Sequence, residues 1–296
     1  MVFKVQKKRS GKQAFSPVIS TVIMTGAMIA ILSVALVFAN NLLWSRVAEG
    51  EFDSSKQFMQ SIGLQIDDVA WTTGRTETIT YASQHGAVVL EPDVLSYNVT
   101  VETSENTYEF LNSTGALMFN LPISQYSISD GYWMPIFPSS DESLTLKGTS
   151  APVARVFEVE KVPMTGGNFL RVVVAPSVRV LFSAINSTTN TYYIRMYLPV
   201  LSASPYSSFS QSITLAAESV QAYTLNNVES ITVSVDFPKG TSDGFDSEFF
   251  NFPDDVLPYD DDSEELVIPP IVIPHEADEY DNVVLELYLS EVSVGF

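Results

Sequence analysis

The sequence predicts an α+β protein: one long N-terminal helix, transmembrane and then amphipathic, followed by a predominantly antiparallel, sandwich-like β body. Three observations predict it. Residues 13–45 contain no charged side chain. Residues 45–70 place apolar side chains on one helical face. From Glu77 onward, short β-branched and aromatic segments of period two alternate with Gly, Pro, Ser and Asn turns.

The elements follow in order. Residues 1–14 form a basic leader with Lys4, Lys7, Lys8, Arg9 and Lys12 and no acid. Residues 15–44 read as a transmembrane helix. Its strongly apolar part, Pro17 to Ala39, spans roughly 35 Å at 1.5 Å per residue, enough for a hydrocarbon core of about 30 Å. A secretory signal has a shorter apolar region and then a small-residue cleavage site, and the Asn40–Trp44 end offers none. The basic leader places the N-terminus in the cytoplasm and the body outside the cell. Trp44 sits where an interfacial aromatic anchor belongs. Ser16 and Pro17 suit the N-cap and first helical positions. Gly26 and Ala30 form a small-xxx-small pair, the spacing that lets helices approach closely in lipid, although small residues also occur in lone anchors.

Residues 45–72 are expected to carry the helix outward as a stalk. Phe52, Met59, Ile62, Ile66 and Val69 share one face, with one weak point near Gly50. A continuous helix from Pro17 to Ala70 is roughly 80 Å long. An ordinary amphipathic helix covering a sheet edge has the same pattern.

Residues 73–296 form the extracytoplasmic β-rich domain, of a size that buries a substantial core. Strands are expected at Glu77–Ala82, Ala87–Leu90, Leu95–Glu102, Thr107–Leu111, Val153–Val159, Phe169–Val174, Val178–Ile185, Thr191–Leu198, Ser219–Leu225, Ser230–Phe237 and Val283–Val294. The last is expected to tuck into a sheet. Short turns around Ser207–Ala217 are the only other helical candidates. Loop-like composition at 135–148 marks either a division between two β units or a long loop in one.

Charge and composition narrow the function. The chain has 35 acids against 15 bases and a net charge of −20. No acid precedes Glu49, so the body is the acidic part, which argues against a nucleic-acid partner. The absence of cysteine excludes disulfides, thiolate nucleophiles and Cys-based metal sites. No nucleophile motif, phosphate loop or metal-ligand spacing is visible, so neither an enzyme nor a cofactor is expected. Asp260, Asp261, Asp262 and Glu264, in the acidic loop 241–265, are weak calcium candidates. Their spacing does not fit an EF-hand, and acid runs are usually solvated. Phe245, Phe249, Phe250 and Phe252 suggest that this segment docks on the body or a neighbour. Asn98, Asn112 and Asn186 head N-glycosylation sequons. His85, before Gly86, reads as a turn residue, and His275 as a loop contact near acids. Tyr126, Tyr132 and Trp133 form either an aromatic corner of the core or a binding loop.

The run Gln13-Ala14-Phe15-Ser16-Pro17-Val18-Ile19-Ser20 resembles the N-terminus of archaeal type IV pilin-like proteins, with their class III signal peptide. The resemblance covers about 35–45 residues. It implies a prepilin-type peptidase cut on the cytoplasmic side between Ala14 and Phe15, with the helix retained in the mature chain. The basic residue nearest the cut is Lys12, and the fifth mature residue is Ile19, where bacterial pilins have Glu. Membrane lipid and copies of the chain, or other pilin-like subunits, are the implied partners. The expected role is a membrane-anchored, pilin-like structural protein of the cell surface, with a subunit of a type IV pilus-like filament as one form of it. The large body makes a minor or adhesive subunit as fitting as a major one. The alternative is a monomeric, single-pass anchored β-domain that binds a surface polymer or solute.

Overall fold

A 54-residue helix, Pro17–Ala70, opens the structure (α1). The computed structural model describes residues 17–83, 85–122, 133–137, 145–147, 153–164, 167–185, 190–204, 211–236, 266–267, 280 and 282–296. Among these, the strands are β1 (Thr76–Thr80), β2 (Ala87–Thr103), β3 (Thr107–Pro122), β4 (Trp133–Phe137), β5 (Thr145–Lys147), β6 (Ala154–Met164) and β7 (Gly167–Pro176). They continue as β8 (Val178–Ile185), β9 (Thr191–Ala203), β10 (Ser212–Leu225), β11 (Val228–Asp236), β12 (Leu266–Val267) and β13 (Asn282–Gly295). The chain divides into two compact units, one through Ala48 and one from Glu49 to Phe296. The α+β class and the predominantly antiparallel body follow from these elements.

In the second unit the strands form two curled sheets, ordered β1-β10-β13-β9-β8-β5 and β12-β11-β2-β3-β7-β6-β4. The β9–β13 and β5–β8 pairs are parallel, and all the others are antiparallel. Alternation decides which face each strand buries. In β9, Tyr192, Ile194, Met196 and Leu198 enter a core shared with Leu285 and Leu287 of β13 and with Tyr97, Val99, Ile231 and Val233 of the other sheet. A second core lies under the helix. Met59, Ile62, Ile66 and Val69 of α1 pack with Leu117, Phe119 and Leu121 of β3 and Leu170, Val172 and Val174 of β7. Strands β3 and β7 therefore bury both faces, since Met118 and Val173 join the first core. Burial on both sides explains why LMFNL and FLRVVV read as near-continuous apolar runs and not as clean alternation.

Several expected boundaries change. Ala87–Leu90 and Leu95–Glu102 belong to one strand, β2. The segment between them, Glu91-Pro92-Asp93, is a bulge, with a register shift between Glu91 and Leu95 and a positive φ of 53° at Asp93. Strand β3 continues through Asn112-Ser113-Thr114-Gly115 to Pro122. A side chain at Gly115 would stand 2.8 Å from the Glu91 carbonyl oxygen, so the glycine admits the bulge rather than ending the strand. The expected turns near Ser207–Ala217 give way to strand from Ser212, where β10 gains β1 as a partner. Within 135–148, Pro135–Phe137 and Thr145–Lys147 are strands of different sheets. The last strand, β13, lies inside its sheet between β10 and β9.

Candidate membrane and assembly site

From Val18 to Trp44 every described residue of α1 is exposed, including Val22, Ile23, Ile29, Leu32, Leu36, Phe38 and Leu43. The helix is long and apolar enough to cross a membrane. Apolar side chains with no core beneath them need another apolar surround. Three hydroxyls in this stretch suit lipid, because they bond within the helix. Thr21 donates to the Val18 carbonyl at 2.9 Å, Thr25 to Thr21 at 2.8 Å and Ser33 to Ile29 at 2.8 Å. Gly26 has open space around its Cα, and Ala30 is exposed one turn further on. Ala14 and Phe15 lie outside the described residues.

In the second unit the first helical turn carries a charged clamp. Glu51 lies on α1 with its side chain 8% exposed. One carboxylate oxygen accepts from the Ser83 hydroxyl, the His85 amide at 3.0 Å and the Gly86 amide at 3.2 Å. The other lies 2.9 Å from His85 Nδ1. An ionised carboxylate only accepts, so Nδ1 carries the proton in this contact. Burial pushes the Glu51 pKa up, but the Ser83, His85 and Gly86 hydrogen bonds outweigh it and hold the group at about 2. Gly86 is needed at this point, since a Cβ would meet Phe119 Cε1 at 2.2 Å. Sequence reading places His85 in a turn but misses Glu51, whose partners are more than thirty residues away in the chain.

The other end of α1 is fixed by polar and aromatic contacts. Ser290 donates to the Ala70 carbonyl. Trp71 donates to Asp67 at 2.8 Å, and the other Asp67 oxygen accepts from Arg179 at 2.9 Å. Gly74, at φ 81°, turns the chain so that its amide and the Arg75 carbonyl engage Ala217 at 2.9 and 3.0 Å.

The remaining candidates scatter. Asn98 is half-buried in β2 and Asn112 half-buried in β3. Thr114, the hydroxyl residue of the Asn112 sequon, is fully buried and accepts from the Leu201 amide at 2.8 Å. Asn186, Asp260, Asp261, Asp262, Glu264, His275, Tyr126 and Tyr132 lie outside the described residues, and Trp133 begins β4. Among the described residues no cluster of three or more His, Asp or Glu is placed to hold a metal. No protein-family model, curated protein or solved structure matches the chain.

Proposed function

We propose that the chain is a membrane-held, pilin-like surface protein. In this reading it is cut between Ala14 and Phe15, keeps its helix, and assembles through that helix with copies of itself or other pilin-like subunits. The observation that carries the reading is the uncharged, wholly exposed apolar stretch from Val18 to Trp44, entered through Ala14-Phe15-Ser16-Pro17-Val18-Ile19. A peptidase acting before that stretch removes the basic leader and leaves the hydrophobic helix on the mature chain. In lipid the helix gains little from burying apolar surface, so association rests on close backbone approach, which Gly26 and Ala30 permit. The Glu51 clamp and the Met59–Val69 stripe secure residues 49–70 to the β body, which is then displayed outside.

Electron microscopy of cells producing the full chain with a tag in the body tests this reading. Tagged filaments are expected from the parent chain and are expected to disappear in Gly26→Asp. Body-tagged protein confined to the membrane as a monomer in both chains would instead favour the anchored binding domain.

A further inference from the structure

The face of the β1-β10-β13-β9-β8-β5 sheet opposite the first core carries a row of stacked groups, of which Arg179 and Tyr197 also hold the end of α1. Arg179, Tyr197 and Tyr288 occupy facing positions on β8, β9 and β13. The Arg179 guanidinium lies 4.7 Å from the Tyr197 centroid. The Tyr197 and Tyr288 rings stack at 4.9 Å with 8° between their planes. Each step is therefore about one strand spacing of 4.8 Å. The next position in the row is Ala222 of β10, directly opposite Tyr288 and exposed. A methyl group cannot cover a ring, so the row stops one layer short and leaves a seat on the second face of Tyr288. Beyond Ala216 the edge of β10 has no strand partner among the described residues.

The groups around the seat set what fits it. Thr224 is exposed beside Ala222 and faces Glu286. Glu286 Oε2 accepts from Arg195 Nε at 2.5 Å and from the Tyr288 hydroxyl at 3.4 Å. Among the described residues, that leaves Oε1 as an acceptor and the two Arg195 Nη groups as donors. Val220 and the helix end at Ala70 and Trp71 bound the opposite side, through Ser290 and Tyr197. Among the described residues on this face, Arg179 is matched by Asp67 and Arg195 by Glu286, so their charges cancel. The body as a whole is strongly acidic, which disfavours polyanions.

We infer that this face binds a neutral saccharide, one sugar ring stacked on Tyr288 over Ala222 with its vicinal hydroxyls on Thr224, Glu286 and Arg195. A sugar ring has the thickness of one step in the row, an apolar C–H face for the tyrosine, and paired hydroxyls that both donate and accept. A planar cation would meet Arg195, and an anion would meet Glu286. The inference does not depend on whether the N-terminal helix assembles or only anchors.

The test uses the full chain in lauryldimethylamine oxide micelles, because a maltoside detergent would itself compete. Calorimetry is run against cellohexaose, maltohexaose and mannohexaose, with heparin as the polyanion control. At least one neutral hexaose is expected to bind. Ala222→Phe fills the seat and is expected to weaken binding at least tenfold, as is Tyr288→Leu. Leu111→Ser, on the other sheet, should leave binding unchanged. No binding of any hexaose, undiminished binding in Ala222→Phe, or preference for heparin would overturn the inference. So would an effect of Ala222→Phe on self-association alone, which would make the face a contact between copies.

Discussion

Glu51 shows how one side chain on a helix can organise a distant loop. Its carboxylate gathers a hydroxyl, two amides and an imidazole from residues 83–86. Removing it takes the shared acceptor from half-buried donors, so Glu51→Ala is expected to cost about 1–3 kcal/mol in chemical denaturation of the micelle-bound chain. The pH dependence has a definite sign. The folded-state pKa of about 2 lies below the ordinary 4.5, so the contribution is fully present above about pH 4.5. It is lost as pH falls from there through 2. Glu51→Gln should flatten the stability profile in that window, and an unchanged slope would remove Glu51 from the explanation. Gly86→Ala pushes a methyl into Phe119, whose ring is already held by Phe58 and Tyr81 at 6.3 and 5.7 Å. A loss of about 1–3 kcal/mol is expected, read as a lower denaturation midpoint. Neither residue was legible as a site in the sequence, since the meaning of each comes from long-range contacts. Arg171 is similar. It sits in the apolar run of β7, yet is fully buried, and burial lowers its pKa to about 10 against the opposing Glu91 charge. Nothing local in the sequence separates it from an exposed strand arginine.

At the scale of elements, periodicity carried most of the information. The helix bounds Pro17 and Ala70 were readable because Pro17 opens the helix and the apolar stripe continues to Val69 before Gly74. Strand β8 was readable to the residue, because Pro176-Ser177 precedes it and its β-branched and apolar run ends at Ile185. Strands β2 and β3 were misread where local signals have tertiary causes: Pro92-Asp93 makes a bulge, and Gly115 accommodates it. The parallel β9–β13 pairing had no sequence signature, since parallel and antiparallel partners use the same alternation. The acidic loop and the peptidase site fall outside the described residues and keep only their sequence reading. The helix itself offers a sharp test. An Asp at Gly26 or Ala30 places a charge near the middle of the apolar stretch, at roughly 2.5–3.5 kcal/mol for insertion. On the assembly reading either change also charges the helix contact. Crosslinking in membranes should then fall at least tenfold in both, while Leu32→Ile stays at the parent level. Equal crosslinking in all three would place the contact elsewhere or show that none exists.

At the scale of the whole molecule, charge and hydrophobicity are segregated along the chain: bases, then an uncharged helix, then an acidic β body. On the proposed reading this order gives one chain three surroundings, and a cut at the first border would leave the helix with the body. The retained helix is the centre of the proposed function, so the most direct measurement is the mass and N-terminal sequence of the mature chain isolated from membranes of an archaeal cell producing it. A chain beginning at Phe15 and continuing through the whole apolar stretch is expected. A chain still beginning at Met1, or one beginning beyond Ala39, would contradict it.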